Sequence, residues 1–283
     1  MTLLVGVQAY RARGDAARRQ ACALAALAGL ARVARVNLQW PDEVLEVDGF
    51  ETLSVLRRDS IGATGRRGAR KPLVREMFDA LCAAAEARGA RLFCFANSDI
   101  HIPQPLVDRV LAEPRDGWAV SRMDYDGETG RDLEVVTRGV DAFVVSTAWW
   151  RRHRRRFRAY VAGEPVWDNV YAALLCGHGD AVVLNRGAGL VRHERHPPAW
   201  GASPYAGYTH LLAALDAPAF SRWARYHHAL EALRARGAGE AEEWALQHAL
   251  FRARPSPGER VVQVGRALRA RLRWAARRRE KDG

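Results

Sequence analysis

The stretch Phe93–Ile102 reads FCFANSDIHI and places polar residues directly after an apolar run. The short run with two aromatic residues, ending at Ala96, predicts a buried strand. In open α/β sheets, ligands bind beyond the carboxyl ends of the strands. Asp99 is therefore a candidate to hold a cation there, the alternative being an acid that only caps the end of the strand.

Strands and helices alternate around this stretch through the first half of the chain. Turn residues separate the segments, and Pro72 marks the start of one helix. This alternation predicts an α/β domain with a largely parallel sheet. DYDGETG, residues 124–130, is predicted as a turn, and the basic segment Arg57–Lys71 as a mobile loop. The predicted strands are Leu3–Val7, Val33–Leu38, Arg91–Ala96, Trp118–Arg122, Val140–Ser146 and Ala181–Leu184, and the main helices are Ala16–Leu30, Leu73–Arg88 and Val166–Cys176.

The pattern becomes helical after the first two hundred residues. The chain of 283 residues, 48% hydrophobic, is long enough for one large core with an attached helical part. We expect a main domain over residues 1–203, a helical extension over 204–254 and a basic C-terminal tail over 255–283.

The formal net charge of +12 lies mostly in two clusters. WWRRHRRRFR, Trp149–Arg158, mixes aromatic and basic residues, as single-stranded nucleic-acid binders do. The tail Arg260–Gly283 carries nine basic and two acidic residues around an apolar stripe, which predicts an interfacial helix on an anionic membrane. The alternative is a solvated terminal helix packed on its own domain. The stripe consists of Val261, Val264, Leu268 and Leu272.

The predicted location is cytoplasmic, with the tail at the inner face of the membrane. No apolar run approaches the roughly 20 residues that span a bilayer, and the start MTLLVGVQAY lacks a basic leader. The 4 cysteines form no C-x-x-C pair and are expected to be reduced.

Several common motifs of α/β proteins are missing from the sequence. It has no G-x-G-x-x-G after the first strand, no G-x-x-x-x-G-K-[ST] and no G-x-S-x-G. Dinucleotide binding through that turn, a P-loop and a hydrolase nucleophile elbow are therefore excluded.

The segments that remain resemble, in order and spacing, the GT-A class of nucleotide-sugar glycosyltransferases. With the first strand, they are KPLVREMFDALCAAAEARGARLFCFANSDI (71–100), GVDAFVVSTAWW (139–150), GEPVWDNVYAALLCGHG (163–179) and VRHERHPPAW (191–200). The resemblance covers about residues 1–200. It implies a Rossmann-related mixed sheet flanked by helices, here with a C-terminal helical extension.

The resemblance implies a divalent cation, Mn²⁺ or Mg²⁺, at the donor's diphosphate. NSD stands where the class usually has D-x-D, so Asp99 is the expected ligand, with His193 or His196 as a further one. Asn97 occupies the first motif position, where it offers a carbonyl oxygen or hydrogen-bonds ribose or phosphate. Imidazole suits Mn²⁺ better than Mg²⁺. The alternative for each histidine is an ordinary loop or strand-edge residue.

The resemblance also implies residues for the sugar and for the nucleotide. Asp168 would orient a hydroxyl or act as the base, and Trp167 would pack on a sugar face. The alternatives are a helix cap and core packing. Four further residues are expected to bind the nucleotide, with turn or loop roles as the alternative: Gln8, Tyr10, Asp59 and Lys71.

The implied activity is transfer of a sugar from a nucleoside diphosphate, most often UDP in this class, to a hydroxyl of a glycan or lipid-linked acceptor. Such a reaction belongs to polysaccharide biosynthesis. One alternative is a non-catalytic member that binds nucleotide or glycan, and another is a nucleic-acid-binding protein. A sugar nucleotidyltransferase is a weaker alternative, because QAYRARGD after the first strand lacks the Gly-rich basic signature of that class.

Overall fold

The computed structural model describes residues 2–113, 115–197, 203–253 and 257–282. Within them the chain forms two compact units. The first comprises Met1–Arg57, Arg75–Arg156 and His178–Pro197, and the second Arg58–Val74, Phe157–Gly177 and Pro198–Gly283.

The described residues form eleven strands and ten helices. The strands are β1 (Leu3–Val7), β2 (Val33–Leu38), β3 (Glu51–Leu53), β4 (Leu92–Ala96), β5 (Ile100–His101), β6 (Gly117–Val120), β7 (Arg122–Tyr125), β8 (Asp132–Val136), β9 (Ala142–Ser146), β10 (Ala181–Leu184) and β11 (Val191–Glu194). The helices are α1 (Gly14–Ala28), α2 (Ser60–Thr64), α3 (Val74–Ala87), α4 (Gln104–Ala112), α5 (Thr147–His153), α6 (Trp167–His178), α7 (Ala206–Leu215), α8 (Ala217–Arg234), α9 (Glu240–Phe251) and α10 (Pro257–Asp282).

A seven-stranded mixed sheet runs through the first unit in the order β10-β6-β9-β4-β1-β2-β3. Strand β9 is antiparallel to both β4 and β6, and the other neighbouring pairs are parallel. The predicted α/β class and the mixed sheet flanked by helices are therefore confirmed.

The core of the first unit depends on a close approach between α3 and the sheet. A Cβ atom on Gly6 would lie 2.0 Å from a methyl carbon of Leu81, so β1 needs glycine where the helix packs. Phe78 on the same helix contacts the rings of Phe95 and Trp150, with ring centroids 5.5 and 5.1 Å away. These contacts fix the position of β4, and with it the loop that carries Asp99.

A second sheet has four strands in the order β5-β11-β7-β8. Along the chain, β5 follows β4 and β7 follows β6, so two of its strands come directly after strands of the large sheet. Here two predictions were wrong. The predicted strand Trp118–Arg122 is two strands, because the chain leaves β6 of the large sheet at Ser121 and enters β7 of the small one. The predicted turn at residues 124–130 begins later, because Asp124 and Tyr125 belong to β7.

The second unit contains the C-terminal helices and two earlier segments of the chain. Its boundaries cut across the predicted ones at residues 203 and 254, since Arg58–Val74 and Phe157–Gly177 also belong to it. The basic segment predicted as a mobile loop contains helix α2. Trp223, Tyr226 and Phe251 pack together where α8 meets α9. In the described part of the chain, no helix is both long and apolar enough to cross a bilayer.

Candidate metal and nucleotide site

Three side chains of the first unit point at a common centre. The Nε2 atoms of His193 and His196 lie 3.2 Å apart. Oδ2 of Asp99 lies 3.8 Å from the first nitrogen and 3.7 Å from the second. One carboxylate oxygen and two imidazole nitrogens thus face one another, as the ligand atoms of a metal ion do.

The small sheet brings these residues together from distant parts of the chain. Asp99 directly precedes β5, and β5 pairs antiparallel with β11 so that Ile100 stands opposite His193. His196 follows two residues after the end of β11. The nearby Pro198–Trp200, part of the quoted VRHERHPPAW segment, lies outside the described residues.

The hydrogen bond of His196 shows which of its nitrogens is available. Its Nδ1 lies 2.9 Å from the carbonyl oxygen of Pro197. A carbonyl oxygen only accepts, so Nδ1 carries the proton and Nε2 of the neutral ring presents its lone pair. This lone pair, the Nε2 atom of His193 and the carboxylate of Asp99 together offer a cation three ligand atoms.

The distances fit a divalent cation with octahedral coordination. Bonds of about 2.1 Å place neighbouring ligand atoms roughly 3 Å apart, so the observed 3.2 to 3.8 Å requires a small contraction. Burial raises the pKa of Asp99, but the neighbouring His193 and His196 outweigh burial and leave the pKa below its usual value. The carboxylate is therefore ionised at neutral pH and able to bind a cation.

The loop that follows β1 lies next to this cluster. The charge of Asp99 adds to partial burial in raising the pKa of Tyr10, whose side chain is about half exposed. Gln20 joins the two loops, because its Oε1 accepts from the hydroxyl of Ser98 at 2.8 Å and its amide nitrogen donates to the carbonyl of Tyr10 at 2.9 Å. Gln8 lies in the same loop, where its amide nitrogen donates to the carbonyl of Ala9.

Two buried side-chain amides, Asn37 on β2 and Gln39 just after it, hydrogen-bond the backbone of the same loop. The backbone N–H of Ala9 donates to Asn37 Oδ1 at 3.0 Å, and Gln39 donates to the carbonyl of Ala9 at 2.8 Å. Gln20, Asn37 and Gln39 were not among the residues predicted from the sequence. The available signal was an amide within an apolar helix or strand, since buried polar groups are normally hydrogen-bonded.

Asn97 turns its amide toward a buried acid. Its Nδ2 lies 3.4 Å from Oδ1 of Asp141, and the other oxygen of Asp141 accepts from Arg122 at 3.1 Å. Burial raises the pKa of Asp141, an effect that Arg122 only partly opposes. A carboxylate at position 97 would face a second carboxylate, which explains why an amide suits this position.

We expect Asn97→Asp, which would restore the D-x-D pattern, to destabilise the protein at pH 7 by about 1–3 kcal/mol without tightening Mn²⁺ binding. The new acid would have a raised pKa in the folded state. The loss of stability relative to wild type is absent below a pH of about 3.9, the pKa of an aspartic acid in the unfolded chain. It grows as the pH rises above that value. Urea denaturation at pH 5 and pH 7 measures this difference. Asn97→Ala is the control, because its effect should not change over that range. Unchanged stability with tighter Mn²⁺ binding would contradict this interpretation of Asn97.

Two of the predicted nucleotide ligands lie in the second unit and have partners there. Asp59 caps helix α2, with Oδ1 2.8 Å from the N–H of Gly62 and Oδ2 2.9 Å from Arg70. Lys71 Nζ lies 2.8 Å from the buried carboxylate of Glu164. The structural role proposed as the alternative for Asp59 is therefore present, and nucleotide binding by both residues stays a prediction.

The W-D-N segment opens helix α6 of the second unit. Trp167 is 5% exposed and meets Tyr171 edge to face with ring centroids 5.6 Å apart, so core packing is the role that its contacts show. Asp168 is the second residue of the helix, two positions past the N-cap position. Val166, directly before the helix, has φ +81°. This conformation is rare for a β-branched residue and marks backbone strain.

Comparisons with known proteins give a fold and no close relative. No protein-family profile matches the chain, and neither does any curated protein sequence. Among solved structures, TarS 1–349 from S. aureus in complex with UDP-GlcNAc superposes with a TM-score of 0.50 at 11% identity, over 76% of this chain. The chain spans 66% of the length of that TarS fragment.

Two further structures are more distant. TarS 1–349 without the ligand gives a TM-score of 0.45 at 13% identity, over 76% of this chain and 65% of that one. Mannose-1-phosphate geranyltransferase from Thermus thermophilus gives 0.30 at 16% identity, over 69% and 74%. The likeness to TarS shows that this chain has a fold of the GT-A type.

Proposed function

We propose that the protein transfers a sugar from a nucleoside diphosphate donor, most simply UDP-linked, to a hydroxyl of a glycan or lipid-linked acceptor. The observation that carries the proposal is the convergence of Asp99, His193 and His196 beyond the end of β4 in a fold of this type. When bound there, a divalent cation supplies positive charge beside the diphosphate as its bond to the sugar breaks.

The remaining roles come from the resemblance, and for Lys71 and Asp168 from the resemblance alone. Gln8 and Tyr10 take the nucleobase side, because their loop is hydrogen-bonded through Gln20 to the loop of Asp99. Lys71 and neighbouring arginines contribute positive charge toward the phosphates. Asp168 orients the acceptor hydroxyl or removes its proton.

A ligand screen followed by a transfer assay tests the proposal. UDP, GDP, CDP and TDP are each added with and without Mn²⁺, and the melting temperature is measured. A nucleotide at about 100 times its Kd raises it by about 5 °C or more. We expect one nucleotide to act, and only with Mn²⁺, and the corresponding sugar donor to be turned over. Stabilisation without turnover of any donor, with or without acceptor, would favour the non-catalytic alternative.

The arginine-rich helix argues against nucleic-acid binding. Trp149 and Trp150, the aromatic residues of that cluster in α5, are at most 2% exposed and are not available to stack on bases. Arg151 is paired with Glu86, and Arg154 with Asp79. These arginines stabilise α5 against α3 within the first unit.

We further propose that helix α10 rests on an anionic membrane. It packs on α7, where the rings of Trp274 and Tyr208 lie 5.8 Å apart. Half-buried residues face that contact, and the apolar stripe predicted from the sequence points elsewhere, with its members 56% to 74% exposed. Exposed arginines flank the stripe, as in helices that lie at a membrane surface. The described flanking residues are Arg266, Arg269, Arg271 and Arg273.

Replacing Leu268 and Leu272 together by glutamine is expected to reduce binding to vesicles at least about tenfold, since each leucine loses its transfer into the interface. Flotation with vesicles of phosphatidylglycerol and phosphatidylcholine measures the effect. Val262→Gln is the matched control, because Val262 is exposed on the same helix outside the stripe. Equal binding by all three proteins, or a dimer that depends on the two leucines without lipid, would overturn this proposal.

A further inference from the structure

An acid that the sequence analysis placed in a turn lies directly beside one of the candidate metal ligands. Strand β7 pairs in parallel with β11, and the register sets Asp124 opposite His193. Paired residues of neighbouring strands point to the same face of a sheet. Both side chains are more than nine-tenths buried.

The contact involves the ring nitrogen of His193 that faces away from the cluster. Nδ1 of His193 lies 3.4 Å from Oδ1 of Asp124. This nitrogen is buried and makes no hydrogen bond to the described residues, and the Asp124 carboxylate is the ion-pair partner that it faces. The distance is long, as such contacts often are in active sites before the ligand binds. Because an ionised carboxylate only accepts, it favours the ring form with the proton on Nδ1 and the lone pair on Nε2.

Two arginines hold the acid in place. Arg122 donates from Nε to Oδ1 of Asp124 at 2.7 Å, and Arg195 Nε lies 3.8 Å from the other oxygen. Arg122 also binds Asp141, the acid that faces Asn97. The carboxylate of Asp124 is therefore fixed in position by one charge-assisted hydrogen bond, from Arg122, and by an ion pair with Arg195.

We propose that Asp124 is a positioning residue that fixes the tautomer and ring orientation of His193, so that Nε2 of this histidine is presented to the cation. This inference rests on the proposed function, in which His193 is a metal ligand. The carboxylate of Asp124 faces Nδ1 of His193 as the carbonyl oxygen of Pro197 faces Nδ1 of His196. Each histidine thus has an oxygen beside its Nδ1 atom. Such outer partners of metal-binding histidines typically change metal affinity by about 10–100-fold.

The first test is Mn²⁺ binding, measured by electron paramagnetic resonance without nucleotide. Asp124→Ala is expected to weaken binding by about 10–100-fold, because the ring loses the carboxylate oxygen that favours the proton on Nδ1. Asp132→Ala is the matched control. Asp132 lies in the same sheet and pairs with Arg192, whose side chain alternates with that of His193 across β11. The control should bind Mn²⁺ as wild type does.

The second test reads the tautomer directly and needs neither metal nor a folded variant of Asp124. In ¹⁵N-histidine-labelled wild type without metal, the ring shifts of His193, assigned by comparison with His193→Gln, should show the proton on Nδ1. In Asp124→Ala the proton should move to Nε2, where Nε2 of His196 is the remaining acceptor. A wild-type proton on Nε2, or equal Mn²⁺ affinity in wild type and Asp124→Ala, would overturn the role of Asp124. Absence of Mn²⁺ binding by wild type, with and without UDP, would instead remove the metal from the proposed function.

Discussion

Replacing Asp99 by alanine is expected to lower donor turnover by roughly 100- to 1000-fold and to weaken Mn²⁺ binding by more than about 100-fold. Asp99 supplies the only carboxylate of the described three-residue cluster. Without it, two neutral imidazoles are left to hold a hard divalent cation that prefers oxygen ligands. Loss of one electrostatic group that acts on the developing charge costs about 10²–10³ in kcat.

Donor hydrolysis with Mn²⁺, together with Mn²⁺ titration, measures both effects. Asp132→Ala is the control, because it removes an exposed acid from the four-stranded sheet without touching the cluster. Asp99→Ala should keep its melting temperature in the absence of metal, since the loss of a carboxylate beside two histidines changes few packed contacts. Turnover by Asp99→Ala at the wild-type rate would exclude Asp99 from the reaction.

The sequence predicted the elements whose signal is local. The bounds of β1, β2 and β10 agree with the structure, because each is a short segment rich in aliphatic residues. The candidate ligands Asp99, His193 and His196 were named from motif positions, and the structure brings them together. Metal binding by the three residues stays a prediction.

The partners around this cluster could not be predicted in the same way. Asp124 stands in DYDGETG, whose composition is that of a turn, and its strand character comes from pairing with β8 and with β11, the latter about 70 residues later in the chain. Asn97 was interpreted as a ligand-binding residue, and the amide-to-acid contact with Asp141 becomes visible only when β9 lies next to β4. Non-local strand pairing decides both cases.

The base role proposed for Asp168 can be separated from its role at a helix start. Acids in the first turn of a helix stabilise it by about 0.3–1 kcal/mol whether or not they take part in a reaction. The strained conformation of Val166, immediately before Trp167, points to more than that. Such strain costs of order 1–3 kcal/mol and persists where the surrounding structure requires one particular backbone geometry, often at functional sites.

Asp168→Asn is therefore expected to lower sugar transfer by about 100- to 10,000-fold, the range for loss of a general base, while the affinities for UDP and Mn²⁺ stay within about twofold. Initial rates with a saturating donor and a titration of each ligand measure the two quantities. Glu240→Gln is the matched control, because it removes an acid from the first turn of α9 in the same unit. Both variants should lose a similar small amount of stability, and only Asp168→Asn should lose transfer. Equal transfer rates in the two variants would leave Asp168 with the role of a helix-start acid alone, and the base would have to be sought among other residues.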